Sequence, residues 1–215
     1  MIKILACLFM LIDHIGIIFF PQEVVLRMIG RLSMPLYAYC IARGIRYTHD
    51  IKKYFLRVLL IACVSQVPYM LMVREIKFNI CFVWVLSIAL IWVYNSLKSP
   101  VFRFLIVIAI ILACKLIPLD YGLYGLAYVV MLYGFAFHDD DIKMYEAWTV
   151  VHLVKLFADY QSGVLQLFTL PTVAIIDLCN RYGLEKKEIK SKIITWFYPL
   201  HITMLLTLYV LHAII

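Results

Sequence analysis

From Ile4 to Phe20, between Lys3 and Pro21, the chain is apolar except at Asp13 and His14. As a helix that run extends roughly 25 Å, close to the hydrocarbon thickness of a bilayer. Runs of this kind recur, and the predicted spans are 4–20, 24–44, 55–73, 79–96, 101–117, 122–138, 144–159, 163–180 and 194–215. Lipid offers no hydrogen bonds to the backbone, so elements surrounded by it must satisfy their own amides and carbonyls. The fold class expected is therefore all-α: a polytopic integral membrane helical bundle of about nine transmembrane helices, in one domain over residues 1–215.

Composition agrees and excludes a soluble domain. Hydrophobic residues make up 65% and charged residues 15%, against about 45–50% and about 25% in soluble proteins. The first run reads as a span and not as a cleavable signal, since Lys3 is its only basic start and no small-x-small site precedes Pro21. The six cysteines (Cys7, Cys40, Cys63, Cys81, Cys114 and Cys179) lie singly in or beside apolar runs, without metal-ligand spacing, and read as small apolar fillers. No metal site is expected. The net charge of +7 points to basic loops on a membrane surface and to no nucleic-acid partner.

Basic residues set the expected orientation. Lys3, the loop 43–57 with Arg43, Arg46, Lys52, Lys53 and Arg57, Lys98 and Arg103, Lys143, and the loop 181–192 with Arg181, Lys186, Lys187, Lys190 and Lys192 fall on one side. By the positive-inside rule that side, with the N-terminus, faces the cytoplasm, and an odd span count places the C-terminus outside.

The polar residues retained inside the apolar runs carry the functional signal. A mid-membrane carboxylate costs on the order of 2.5 kcal/mol or more unless a partner or water compensates, and Asp13 stands beside His14. Adjacent residues lie about 100° apart on a helix and can face one cavity, where a carboxylate and an imidazole suit a general base. In "WFYPLHITMLL" His201 follows Pro199 by two residues, with Tyr198 beside it. Arg27 and Arg31 are spaced i, i+4, so two guanidiniums share a face that suits an anion or a developing oxyanion. Structural readings stand beside these. An intramembrane histidine can serve cross-helix packing, the arginines can snorkel to the interface, and Asp120 in "LDYGLYG" reads as a cap of the next helix. His138 with Asp139–Asp141 reads as a solvated loop. Periodicity leaves catalysis and transport equally open.

The motifs "LIDHIG", "RMIGRLSMPLYAYCIARGIRYTHDIKKYFLR", "SQVPY" at 65–69, Asn79, "DYGLYG" at 120–125 and "FYPLHI" at 197–202, in this order, resemble the TraX family. That family is named for a conjugation protein associated with N-terminal acetylation of F-pilin. The resemblance covers nearly the whole chain. It implies an acyltransferase embedded in the bacterial cytoplasmic membrane, using acetyl-CoA as acyl donor and acetylating an amine or hydroxyl of a membrane-presented peptide, pilin-like protein or glycan. It makes His14 and Asp13 the leading catalytic candidates, His14 being oriented by Asp13, and His201 the next. Arg27 and Arg31 are implied for the acyl donor or the transition state, with Asn79, Asp120 and Tyr198 lining the site. The seventh and eighth spans match no motif, so Glu146, His152 and Asp177 receive no role. Two further classes remain at this point. One is a proton-coupled transporter or exporter with Asp13, His14 and His201 as its relay, although no paired repeats are visible. The other is a non-catalytic membrane subunit.

Overall fold

A computed structural model describes residues 1–136, 141–183 and 192–214. Every regular element among them is helical, and the one extended pairing is an isolated parallel bridge between Phe78 and Leu119. The helices are α1 (Ile2–Phe19), α2 (Val24–Gly30), α3 (Ser33–Tyr47), α4 (Ile51–Val73), α5 (Ile80–Ser96), α6 (Pro100–Leu116), α7 (Gly122–Phe135), α8 (Asp141–Ala158), α9 (Tyr160–Gln166), α10 (Pro171–Arg181) and α11 (Lys192–Ile214). A 3₁₀ turn at Leu167–Thr169 joins α9 to α10.

Two predicted spans are interrupted. The second divides into α2 and α3 at Arg31 and Leu32. Pro35 has no N–H to offer the Arg31 carbonyl, so the ladder lapses there, although Arg31 and Leu32 keep right-handed helical angles. The eighth divides at the 3₁₀ turn before Pro171. Among the described residues, five helical segments are long and apolar enough to cross a membrane: Ile2–Phe19, Val24–Tyr47, Ile51–Val73, Gly163–Arg181 and Ile193–His212. Ile80–Ser96 and Gly122–Phe135 are apolar but shorter. Five thus stand where about nine were expected, because several apolar runs form helices too short or too charged to qualify.

Side chains explain the ends of these helices. Asp50 caps α4 by accepting the Lys53 backbone N–H at 3.0 Å, which holds its carboxyl below the usual range. Asn79 caps α5 by accepting the Cys81 N–H at 3.0 Å. Asp120 does not cap α7, as the sequence suggested. The residue at that position is Tyr121, and Asp120 instead pairs with Lys77 at 3.2 Å.

In lipid, helices associate through close packing and hydrogen bonds, since tails are as apolar as leucine. Small residues accordingly mark the contacts of α1. A Cβ on Gly16 would meet Leu26 Cβ at 2.9 Å, and one on Gly30 would run into Asp13, so α2 folds back tightly on α1. Tyr39, Leu36, Tyr128, Leu132, Val83 and Ile88 are fully buried where α3, α5 and α7 meet. Helix α6, with only Cys114 buried, presents apolar side chains on nearly every face. Helix α11 packs along both α1 and α4, and this contact unites the two ends of the sequence.

Candidate functional site

Helix α1 turns Met10, Asp13 and His14 onto one face, and all three line a cavity of about 1010 Å³. One end of the cavity holds Asp13 and His14 with Asp120, Tyr121 and Tyr198. Lys3, Arg43, Thr48 and Arg57 line it as well. Lys3 and His14 are separated by about 16 Å along the axis of α1. The cavity therefore joins a basic region, drawn from the chain start and the segment 43–57, to the polar residues about two-thirds of the way along α1.

His14 is 6% exposed and His201, on α11, 3%. The His14 Nδ1 lies 2.6 Å from the His201 Nε2, and the His201 Nδ1 lies 2.6 Å from the Phe197 carbonyl oxygen. A carbonyl only accepts, so His201 carries a proton on Nδ1, and in the neutral ring its Nε2 is the acceptor. The proton between the rings then belongs to the His14 Nδ1, which leaves the His14 Nε2 lone pair without a partner among the described residues. Phe197 stacks on His201 with centroids 4.7 Å apart, and Tyr198 stands edge-on to His14 at 6.2 Å. The imidazole that lines the cavity is thus fixed in tautomer and orientation by its neighbour.

That arrangement revises one expectation. Asp13 does not orient His14. Its Oδ1 lies 3.0 Å from the Arg27 Nη1, a charge contact without hydrogen-bond alignment. Consecutive side chains on a helix diverge by about 100°, so Asp13 turns to α2 while His14 turns to α11. The second arginine is used differently. Arg31 Nη1 donates to the Tyr121 hydroxyl oxygen at 2.6 Å, the guanidinium lies 5.7 Å from that ring's centroid, and its Nε has no described hydrogen-bond partner.

Asp120 and Tyr198 take places on the cavity wall, His201 lies directly behind His14, and Arg27 and Arg31 lie behind Asp13 and Tyr121. Asn79 does not reach the wall. It is fully buried, and its amide donates to the Ala62 carbonyl at 2.8 Å and to the Gln66 Oε1 at 2.9 Å while its oxygen caps α5. A buried asparagine with its amide so committed holds α4 against α5, and has little left for a substrate.

Tyr121 is the wall residue that sequence reasoning missed. Its backbone is left-handed, φ 60°, a conformation that costs a tyrosine on the order of 1–2 kcal/mol. The chain is pinned on both sides of it. Phe78 N–H donates to the Pro118 carbonyl at 2.8 Å, Asp120 N–H to the Phe78 carbonyl at 2.9 Å, and Gly125 N–H to the Tyr121 carbonyl at 3.1 Å.

A second buried polar cluster lies between α7, α8 and the 3₁₀ turn. His152 Nδ1 is 2.9 Å from the Trp148 carbonyl oxygen, and its Nε2 is 2.5 Å from the Thr169 Oγ1 and 3.2 Å from the Tyr124 hydroxyl. None of these residues lines the cavity. Among the described residues no group of three or more His, Cys, Asp or Glu is placed to hold a metal ion. His138 with Asp139 and Asp140, and the lysines 186, 187 and 190, lie outside the described residues.

A sequence model of the family described as TraX protein matches residues 1–209, which include His14, His201, Arg27 and Arg31. The chain belongs to the TraX family. No curated protein and no solved structure matches it. Within this TraX-family chain the motifs around residues 13, 27–31, 120 and 198–201 converge on the inner end of one cavity, while Asn79 supports it from behind.

Proposed function

We propose that this TraX-family protein is a membrane-embedded acyltransferase that moves an acetyl group from acetyl-CoA to an amine or hydroxyl. The acceptor is presented in the membrane or at its outer face by a peptide, a pilin-like protein or a glycan. The observation that carries this reading is His14, with one ring nitrogen engaged by no described residue, on the wall of a cavity that Lys3, Arg43 and Arg57 also line. A basic region joined to a buried base suits a donor with a phosphorylated head and a long arm ending in a thioester.

In this reading the chain is a single domain of about nine spans, counting helices shorter or more charged than the five long apolar ones, in the bacterial cytoplasmic membrane, with the N-terminus and the basic segment 43–57 in the cytoplasm. His14 Nε2 removes the acceptor's proton as its nitrogen or oxygen attacks the thioester carbonyl, and returns that proton to the departing thiolate. His201 holds the donor nitrogen of His14 in place throughout. The same lone pair can attack first and carry the acetyl group as an acyl-imidazole. Asp13 and Arg27 neutralise each other at the cavity end, and no metal takes part.

The test uses the full chain in lipid nanodiscs, with acetyl-CoA binding, release of free CoA and thermal melting measured together. Wild type binds acetyl-CoA and releases CoA. His14→Ala melts like wild type and loses about 10²–10⁴-fold in CoA release. Asp13→Asn, which leaves Arg27 without its counter-charge, lowers the melting temperature. A folded wild type without affinity for any acyl-CoA ends this reading, and substrate-dependent proton movement without CoA release would establish a transporter in its place.

A further inference from the structure

The tetrahedral intermediate of acyl transfer places a full negative charge on the former carbonyl oxygen, and a donor must already stand where that charge forms. The spacing of Arg27 and Arg31 offered a guanidinium for this. The geometry points to Tyr121: we infer that its hydroxyl is the hydrogen-bond donor to the oxyanion, with Arg31 as the positioning residue behind it. The inference rests on the acyltransferase reading and deepens it.

Three observations converge. Tyr121 lines the cavity at the end that holds His14, and its hydroxyl is close enough to Tyr198 and to the Asp13 carboxylate to interact with both electrostatically. Its oxygen accepts from the Arg31 guanidinium at 2.6 Å, and no described group takes its proton. A phenol whose lone pair is engaged by a cation is a stronger donor through its O–H, because hydrogen bonds in series polarise one another. The backbone at Tyr121 is held left-handed between the Phe78–Leu119 bridge and Gly122, itself at φ 41°. Non-glycine residues persist in that conformation where their surroundings demand it, which places this hydroxyl with little freedom to drift. Tyr198 has no comparable support. It stands on α11 next to Pro199, and among the described residues no guanidinium donates to its oxygen.

In the step itself the acceptor's nitrogen or oxygen bonds to the carbonyl carbon while its proton passes to the His14 Nε2. The carbonyl π pair moves onto oxygen, which accepts the Tyr121 hydrogen bond. Collapse restores the carbonyl, breaks the carbon–sulfur bond, and the thiolate recovers the proton from His14. Tyr121 keeps its own proton from start to finish.

The experiment follows CoA release from acetyl-CoA, with water as acceptor, by the full chain in nanodiscs. Tyr121→Phe keeps the ring and its stack on Tyr124, and the result expected is a fall in kcat of about 10²–10³-fold with KM for acetyl-CoA within about threefold. Tyr198→Phe falls by less than about tenfold. Replacing residue 121 by 3-fluorotyrosine, which retains the hydroxyl, restores at least about a third of wild-type kcat. Arg31→Gln lowers kcat about tenfold in the wild-type background and by less than about threefold when added to Tyr121→Phe, since it acts through that hydroxyl. If Tyr121→Phe melts below wild type, Arg31→Gln carries the test, and an unchanged kcat there overturns the inference. A folded Tyr121→Phe within threefold of wild type, with His14→Ala inactive, overturns it while leaving the acyltransferase reading intact. A wild type that neither binds acetyl-CoA nor releases CoA removes both.

Discussion

His14 and His152 are about equally buried, 6% and 4% exposed, and each binds a partner through a ring nitrogen. At His152 both nitrogens are used: Nδ1 meets the Trp148 carbonyl, Nε2 meets Thr169 and Tyr124, and the ring lies away from the cavity. At His14 one nitrogen is tied to His201 and the other meets no described residue, at the cavity end that also holds Asp13, Asp120, Tyr121 and Tyr198. On the proposed reading, burial alone therefore does not distinguish a structural histidine from a reactive one. What distinguishes them is unspent hydrogen-bonding capacity aimed at open space.

The largest effect that sharpens this comparison is expected at His201. Leucine there deprives the His14 Nδ1–H of its acceptor and frees the ring to turn, and kcat for CoA release should fall about 10²-fold. Glutamine, whose Oε1 stands near the place of the imidazole Nε2, should hold the loss to about tenfold or less. Equal losses in the two variants would mean that packing against Phe197 matters and acceptor geometry does not. A smaller effect of opposite kind is expected at His152. His152→Leu strands the hydroxyls of Thr169 and Tyr124 and should cost about 1–3 kcal/mol of stability. The folded variant should keep kcat within about twofold. A His152→Leu protein that melts normally but loses turnover would break the comparison, because the second cluster would then belong to the chemistry.

Much of the fold was legible because the bilayer imposes a simple rule on composition. The apolar runs predicted helices close to the places where helices stand. Hydropathy did not show the breaks at Arg31–Leu32 and Leu167–Thr169, and Pro35 and Pro171 were the signals that could have found them. Within the site, Asp13, His14 and His201 showed themselves as groups too costly for lipid without a reason. Their partners did not. His14 and His201 are separated by 187 positions and meet because α1 packs on α11. Asp13 chose Arg27 over its neighbour because a helix sends adjacent side chains in different directions. Asn79 misled for a related reason, since a buried amide that caps a helix and one that faces a substrate look alike in sequence. Tyr121 was hidden among 15 tyrosines, which an apolar chain tolerates without penalty, and only its left-handed backbone and its guanidinium partner set it apart.

The most direct measurement is peptide-mapped carbethoxylation of the nanodisc protein with diethyl pyrocarbonate, which acylates unprotonated imidazole nitrogens that it can reach, with and without saturating acetyl-CoA. The account predicts modification of His14, protection of His14 by acetyl-CoA, and no modification of His152 in either sample. An unreactive His14, or a reactive one that acetyl-CoA leaves unprotected, would contradict the claim that this cavity delivers an acyl donor to a free imidazole nitrogen.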